Sequence, residues 1–380
     1  MSEPLLLMTP GPTRVPDRVL AAGARPMLHH RTPEFSRELA QMIELLQPFF
    51  GTRAPVLPVH TTGRGAMEAA ICNLFSPGDA LAVCCNGKFG EMWVTFGESY
   101  GLVVHRFGTD YEHDLDVVAL DRLLTEKPNV KGVAFAYGDT STGVANDVAG
   151  AVRVARRHGA LVLVDGVSSI GGMPFRFDEW DVDVAVTASQ KCLMSSPGLA
   201  FAVMSDRAWS TQGTARLPRN YWNFAAIREN VTKAKPETPG TTPVHLVLQV
   251  AEALRMLHEE GKEQVWQRHS RMAELARRGA AELGLSPQCP SLRHRSTTLT
   301  ALALPPELPP ARIRDGLKAR GILTAAGLDR FALNAFRIGH MGDIREADVQ
   351  RTLSALAEVI AEIAPARVYA DQPRPAGRTQ

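Results

Sequence analysis

Lysine is scarce in this sequence, and neither sign of charge is in excess. Only eight of the 42 basic residues are lysines, and the 40 acidic residues leave a formal net charge of +2. No cluster of basic residues forms a stripe suited to the phosphates of a nucleic acid, so we expect no nucleic-acid partner. A lysine among small and apolar neighbours is therefore unusual here, and Lys191 is such a lysine.

Cysteine is also rare. The five cysteines are Cys72, Cys84, Cys85, Cys192 and Cys289. Their odd number excludes complete pairing within the chain, and their spacing is not the paired CxxC of a structural zinc site. We expect a reduced, cytoplasmic protein without a bound metal.

Long hydrophobic runs are missing. No run approaches the roughly 20 apolar residues of a membrane-spanning helix. The N-terminal segment has no basic stretch ahead of its four-residue apolar run, Leu-Leu-Leu-Met at 5–8. We therefore expect neither a membrane partner nor a secretory signal.

The apolar residues that are present follow the pattern of an α/β protein. They make up 45% of 380 residues, enough for two or three domains. From about residue 55, short apolar runs alternate with amphipathic stretches, which indicates a parallel sheet covered by helices. The predicted strands are residues 56–60, 80–84, 102–107, 132–136, 160–164, 182–187 and 199–204. The predicted helices among them are 64–74, 89–100, 115–126 and 144–158, the last followed by Gly159 as its C-cap glycine.

The pattern changes after a proline-rich loop at 234–243. Two long helices are predicted next, followed by strands and helices in alternation, which is typical of a smaller α+β domain. The predicted helices are 244–260, 262–283, 310–320 and 346–364, and the predicted strands are 298–303 and 335–338.

Polar residues directly after apolar strands are candidates for function, because ligands of open α/β sheets bind at the carboxyl ends of the strands. Thr62-Gly63-Arg64 opens a helix, either as an amide-rich phosphate site or as an ordinary cap. Asp165 is either a buried carboxylate that meets a cation or a solvated loop residue. Lys191 is either a desolvated, nucleophilic amine or a lysine that reaches solvent.

Together these three features fit one cofactor, pyridoxal 5′-phosphate. Its aldehyde bonds to a lysine, its pyridine nitrogen needs a carboxylate, and its phosphate needs backbone amides. Lys191, Asp165 and the helix start at Gly63 supply these groups. Phe89 either stacks on the cofactor ring or belongs to the hydrophobic core.

An ordered set of short motifs resembles the class V, fold type I aminotransferases of the alanine–glyoxylate and serine–pyruvate group. The motifs are Pro-Gly-Pro-Thr at 10–13, Thr-Gly at 62–63, Asn-Gly at 86–87, Thr-Ser-Thr-Gly at 140–143, Val-Asp at 164–165, Ser-Gln-Lys at 189–191, Pro-Gly at 197–198 and Arg-Ile-Gly at 337–339. The resemblance spans about residues 5–365. It implies a large domain with a mixed, mainly parallel seven-stranded sheet and a small α+β domain. The implied boundaries are 1–16 for an N-terminal arm, 17–260 for the large domain, 261–365 for the small domain and 366–380 for a disordered tail.

The resemblance also implies roles for individual residues. Lys191 forms the Schiff base and moves the substrate proton, while Asp165 pairs with the pyridinium nitrogen. Phe89 takes the stacking position, and Thr140 bonds the phenolic oxygen of the cofactor. Arg337 binds the substrate carboxylate through two parallel hydrogen bonds, in place of the surface ion pair that is its alternative.

Further positions are implied around the phosphate and the substrate. The remaining cofactor-binding residues are Thr62, Gly63, Arg64, Val167, Gln190, Thr238 and Thr241. His29 lies in a segment that lines the substrate pocket. The resemblance implies a homodimer with shared active sites, in which the N-terminal arm and the loop at 235–243 contact the partner subunit.

One implied position departs from the family pattern. Relatives commonly place a tyrosine three residues before Thr241, and this chain has Thr238 there. The tyrosine contact to the phosphate is therefore lost. Arg64, where relatives often have histidine or a small residue, is the candidate that replaces it.

The implied activity is transfer of an amino group from alanine, serine or aspartate to glyoxylate or pyruvate. The alternatives are a lyase of the same fold, of the cysteine desulfurase or kynureninase type, and an aminotransferase for a specialised amine such as ureidoglycine or pyridoxamine. Gln190, where desulfurases usually have histidine, favours transamination, and Cys289 lies in no desulfurase motif. Arg31 is either a site for the second carboxylate of aspartate or a structural arginine held by Glu34.

Overall fold

The computed structural model describes residues 5–365. The predicted disordered tail and the first four residues of the predicted arm lie outside these described residues. The strands of the described chain are β1 Leu6–Leu7, β2 Leu57–Val59, β3 Ala80–Cys84, β4 Val103–Phe107, β5 Val130–Ala136, β6 Leu161–Asp165, β7 Val184–Ala188, β8 Ala200–Met204, β9 Ser286–Pro287, β10 Leu299–Ala303, β11 Ile322–Leu323, β12 Ala325–Ala326 and β13 Ala335–Gly339.

Helices connect and cover these strands. They are α1 Asp17–Gly23, α2 Pro33–Phe50, α3 Gly63–Leu74, α4 Lys88–Ser99, α5 Val117–Glu126, α6 Val148–Arg157, α7 Asp206–Gln212, α8 Phe224–Val231, α9 Val244–Glu260, α10 Lys262–Glu282, α11 Pro310–Ala319 and α12 Glu346–Ile363, with a 3₁₀ turn at Asp329–Phe331. Among residues 5–365, no helix is both long and apolar enough to cross a membrane.

The central sheet has seven strands in the order β2-β8-β7-β6-β5-β3-β4. Only β8 runs antiparallel to its neighbours, which confirms the predicted mixed, mainly parallel sheet. Every residue of β6, β7 and β8 is buried, because α3 packs on β7 and β8 and α6 packs on β6. Uninterrupted apolar runs are what strands covered on both faces require.

The direction in which the chain winds across the sheet reverses beside β3. After β3 the chain moves outward to β4 and then returns to the other side of β3 to form β5. The loops that follow β3 and β5 therefore meet: Phe89 N donates to Asp139 Oδ2 at 2.9 Å, and Asn86 Nδ2 donates to Asn146 Oδ1 at 2.7 Å. Such a reversal is where open α/β sheets bind ligands.

One predicted boundary is wrong. The helix predicted for residues 144–158 begins only at Val148, because Asp147 caps it by accepting from Gly150 N at 2.9 Å. The residues ahead of the cap are extended, and Val144 and Ala145 form bridges with Arg295 and Gly138. The other end agrees with the prediction, since Gly159 follows the helix with a φ of +69°.

A second cluster of buried apolar side chains lies around the sheet β12-β13-β10-β9 and the helices α10, α11 and α12. The first and larger cluster surrounds the seven-stranded sheet and includes Val265 on α10. The second cluster includes Met272 on the same helix, so the two clusters meet on α10. The division between a large and a small domain at residue 260 remains a prediction that is compatible with this pattern.

The N-terminal segment belongs to the second cluster. Strand β1 pairs in parallel with β11, and Leu6 and Met8 are buried against that cluster. Gly339 N also donates to Met8 O at 2.7 Å. The resemblance implies an arm lying over a partner subunit, whereas the part of it from Leu6 to Met8 pairs with this chain's own strands.

We expect Met8→Ala to lower the free energy of unfolding by about 2–5 kcal/mol, because it leaves a cavity where a fully buried side chain stood. Leu5, which is 39% exposed, is the matched control. Leu5→Ala should change stability by only about 0.5 kcal/mol. Denaturant titration of both variants measures the difference, and equal effects would contradict the docking of this segment.

Candidate active site

Buried charged side chains divide into paired and unpaired groups. Asp183, fully buried, pairs with Arg156 at 2.9 Å and with Arg207 at 2.8 Å. Arg268, also buried, pairs with Glu260 at 2.6 Å. Burying a charge is costly unless an opposite charge meets it, so these pairs satisfy structural requirements.

Three other buried charged residues, Asp139, Asp165 and Arg337, form no ion pair within the described chain. All three lie together. Asp165 ends β6, Asp139 follows the adjacent parallel strand β5, and Arg337 on β13 donates through Nη1 to Thr140 O at 2.9 Å. Uncompensated charges that converge in one place indicate a functional site.

Asp165 is the carboxylate at the centre of this group. Its side chain is buried, with the residue 4% exposed, and its Oδ1 accepts from Val167 N at 2.8 Å. Burial raises its pKa to about 7, and the nearby carboxyl of Asp139 adds to that rise. A cation placed against Asp165 would restore its ionised form.

Lys191 follows β7 and is half-buried. Burial lowers the pKa of its amine to about 8, while Asp165 acts in the opposite direction. A large share of the amine is therefore neutral near pH 8, which is the form that attacks an aldehyde.

The segment at 10–13 lies directly against Lys191. Lys191 Nζ donates to Pro10 O, and Thr13 Oγ1 donates to Lys191 O at 3.1 Å. Gly11 lies against this side chain, since a Cβ atom there would stand 2.4 Å from Lys191 Cδ, and its φ of +99° favours glycine. The sequence motif contained Gly11, but its contact with the lysine could not be predicted because 180 residues separate the two.

Phe89 and Asp139 are joined at the reversal of the sheet. Asp139 is fully buried and accepts from the amides of Phe89 at 2.9 Å and Ser141 at 2.8 Å. Phe89 is half-buried and lies outside the hydrophobic core clusters of the described residues. The hydrogen bond from the Phe89 amide to Asp139 therefore keeps this residue at the site. Sequence reasoning missed Asp139, although it follows an apolar strand just as Asp165 does.

The N-terminus of α3 offers amides that no side chain caps. Thr62 is the N-cap residue, but its exposed side chain makes no capping hydrogen bond. Gly63 lies so close to Val167 that a Cβ atom would stand 2.5 Å from Val167 Cγ2, which brings this helix end next to the Asp165 turn. Gln190 Oε1 is buried without a hydrogen-bond partner. A flip of that amide would present a donor, so free amides and Gln190 together suit an anion.

Three further residues predicted to bind the phosphate, Arg64, Thr238 and Thr241, make other contacts or are exposed in this chain, and their phosphate roles stay predictions. The exposed side chain of Arg64 extends over Phe96, with the guanidinium carbon 5.6 Å from the ring centre, so only its backbone amide faces the helix end. Thr238 is buried, and its hydroxyl donates to Gly240 O at 2.7 Å. Thr241 is exposed.

His29 does not join the group around Lys191. It lines a cleft of about 780 Å³ together with Pro197 and Thr241, and Lys191 is not among the residues of that cleft. Arg31 is exposed and pairs with Glu237. Of the two alternatives for Arg31, the structure supports the structural one, with Glu237 of the loop at 235–243 as its carboxylate in place of Glu34.

Comparisons with known proteins agree with this site. The profile of the family Aminotransferase class-V matches residues 7–336. The chain is 38% identical to a protein of Synechococcus sp. named soluble hydrogenase, small subunit, over 96% of this chain and 94% of that protein. It is 34% identical to L-aspartate–glyoxylate aminotransferase of Paracoccus denitrificans, over 94% of this chain and 91% of that enzyme.

A solved structure shows the same fold. The alanine–glyoxylate aminotransferase of Nostoc sp. superposes with a TM-score of 0.90 at 29% identity, covering 95% of this chain and 96% of that one. Among residues 5–365, no group of three or more His, Cys, Asp or Glu side chains is arranged to hold a metal ion. By its profile match and its aminotransferase relatives, the chain belongs to the class V aminotransferases.

Proposed function

We propose that this aminotransferase uses pyridoxal 5′-phosphate and moves an amino group from alanine, serine or aspartate to glyoxylate or pyruvate. The observation that carries the proposal is the convergence of a half-buried lysine, a buried carboxylate and a buried arginine, the last two without ion pairs. A cofactor with a protonated ring nitrogen would meet the carboxylate, and an anionic substrate would meet the arginine.

The residues fit three polar groups of the cofactor, namely its aldehyde, its ring nitrogen and its phosphate. Lys191 Nζ is the amine that reacts with the aldehyde, and Asp165 is the carboxylate for the pyridine nitrogen. The amides at Gly63 and Arg64, with the side-chain amide of Gln190, whose Oε1 atom has no partner among the described residues, receive the phosphate. When bound, the cofactor supplies the electron sink that lets the substrate Cα proton be removed.

The chain's own groups then act on the substrate. Lys191 Nζ, with a pKa of about 8, takes and returns the Cα proton near neutral pH. Arg337 is held by Ala326 O at 2.7 Å and Thr140 O at 2.9 Å, and its Nη2 makes no hydrogen bond to the described residues. The unused N–H groups of this guanidinium orient the substrate carboxylate.

Within the proposed range of donors, the ion pair of Arg31 supports alanine and serine over aspartate. A second carboxylate needs a second free cation, and the charge of Arg31 is already taken by Glu237. The two glyoxylate enzymes compared above support glyoxylate as the acceptor.

The lyase alternative is weaker. A desulfurase needs a mobile, reactive thiol, whereas Cys289 is buried, with its sulfur 3.5 Å from His294 O. Burial also raises the pKa of the Cys289 thiol, which keeps it protonated. All five cysteines are free and buried, which supports a reduced, cytoplasmic setting.

A homodimer with shared active sites completes the proposal. Thr241 and His29 line an open cleft of about 780 Å³, and Thr241 is exposed. We propose that a second copy covers this cleft and that the loop at 235–243 reaches the phosphate of its neighbour.

A screen of single amino acids tests the activity. We expect alanine, serine or aspartate to abolish the visible absorption of the cofactor-loaded protein as the amino form of the cofactor accumulates. Lys191→Ala should bind cofactor but lose at least about 1,000-fold in turnover, because the nucleophile and the proton carrier are one group. If no amino acid changes the spectrum and cysteine releases sulfide, the aminotransferase assignment fails.

Arg337→Lys should lower kcat/KM for the amino donor by about 10- to 100-fold, since an ammonium keeps the charge but loses the planar pair of donors. Arg312→Lys is the control, because Arg312 is exposed on α11. Steady-state kinetics compare the two variants. An Arg337→Lys enzyme with unchanged kcat/KM would exclude Arg337 from carboxylate binding.

Sedimentation of the cofactor-loaded protein tests the shared site. We expect a dimer, and we expect activity on dilution to fall together with the dimer fraction, because each site needs the neighbouring loop. A monomer that retains full activity would refute the sharing while leaving the chemistry of Lys191 intact.

A further inference from the structure

Two cavities that lie apart from Lys191 have lining residues in common. One, of about 450 Å³, is lined by Arg277 and Arg278 on α10, and the other, of about 550 Å³, lies towards α6. Arg295 and Thr297, in the loop between β9 and β10, line both. The proposed aminotransferase function uses none of these four residues.

The arginines of the smaller cavity are fixed by backbone carbonyls and not by carboxylates. Arg277 Nη1 donates to Ser296 O at 3.0 Å. Arg295 donates through Nε to Cys289 O at 2.8 Å and through Nη2 to Pro290 O at 2.9 Å. Neither arginine forms an ion pair within residues 5–365, so each holds a fixed orientation with its charge uncompensated.

Carboxylates do lie nearby, but they do not neutralise this group. Glu274 lines the smaller cavity without pairing with an arginine there. In the larger cavity, Asp114 pairs with His294 at 3.1 Å, and Asp147 caps α6. The smaller cavity thus combines three arginines with a single carboxylate.

Unused donors complete the cavity. Arg277 Nε and Nη2 and Arg295 Nη1 have no acceptor among the described residues. Thr297 Oγ1 is shielded from solvent and has no hydrogen-bond partner. Burial and the neighbouring Arg295 lower the pKa of Arg277 to about 10, although Glu274 acts in the opposite direction. Donors without acceptors, together with uncompensated positive charge, are complementary to an oxyanion.

We propose that the cavity lined by Arg277, Arg278, Arg295 and Thr297 is a second binding site, separate from the active site, for a small molecule that carries a carboxylate or phosphate group. Arginine pairs bind both groups with the same geometry.

The site is connected to the proposed substrate site by backbone hydrogen bonds. Ser296 N donates to Gly143 O at 2.8 Å, and Ala145 N donates to His294 O at 2.7 Å. Gly143 belongs to the turn that contains Thr140, whose carbonyl oxygen holds Arg337. An anion that bridges Arg277 and Arg295 therefore stiffens the loop on which that turn rests.

Calorimetric titration of the cofactor-loaded, full-length protein tests the proposal, with inorganic phosphate in one arm and acetate in the other. We expect saturable binding in the unaltered protein and in Arg337→Lys. In Arg277→Gln, binding should be weakened about 10- to 100-fold. The arm that shows this binding identifies phosphate or carboxylate as the preferred group.

Two further variants guard against loss of folding and against general charge effects. Arg278→Gln removes an exposed side chain with no hydrogen bond or ion pair within residues 5–365, so it should weaken binding without disturbing the loop. Arg271→Gln, exposed on the same helix but outside both cavities, should bind like the unaltered protein. Three results would overturn the proposal. Binding could be absent from both arms, it could be unaffected by Arg277→Gln and Arg278→Gln, or Arg271→Gln could weaken it equally.

Discussion

A carboxylate buried at the end of a parallel strand, without an ion-pair partner among residues 5–365, is the constraint from which the proposed chemistry follows. Asp165 ends β6 and Asp183 precedes the adjacent parallel strand β7, and both are buried, but Asp183 is satisfied by two arginines and Asp165 by one backbone amide. Burial without a partner drives Asp165 towards its neutral form. A pyridinium nitrogen would supply the missing cation, and Asp165 would in return keep that nitrogen protonated.

The fold places the other groups around this carboxylate. Parallel pairing of β5, β6 and β7 sets Asp139, Asp165 and Lys191 at one edge of the sheet. The small sheet contributes Arg337 across the gap, where Thr140 O holds it at 2.9 Å. The N-terminal segment closes the arrangement, since it pairs with β11 and then runs past Lys191. Two clusters of apolar side chains thus position one set of charged groups.

Much of this could be predicted from the sequence, and the exceptions have physical causes. Apolar runs ending in a polar residue identified the strands before Asp165 and Lys191, because a strand covered on both faces needs uninterrupted apolar side chains. The predicted start of α6 is too early, because the apolar residues Val144 and Ala145 form β-bridges and do not belong to the helix. Two-residue strands such as β1 and β11 carry no periodicity at all. Asp139 could have been predicted in the same way, because it also follows an apolar strand. The stacking of Arg64 on Phe96 could not, because it depends on side-chain packing that a short motif does not determine.

The most direct measurement of the central claim is the protonation state of the Asp165 carboxyl, followed by infrared difference spectroscopy against Asp165→Asn. Without cofactor, the carboxyl should titrate with a pKa of about 7. After pyridoxal 5′-phosphate is bound, the carboxyl should be ionised even at about pH 6, because a cation now faces it. A carboxyl that remains protonated at that pH in the loaded protein, or that is already ionised there without cofactor, would contradict the account.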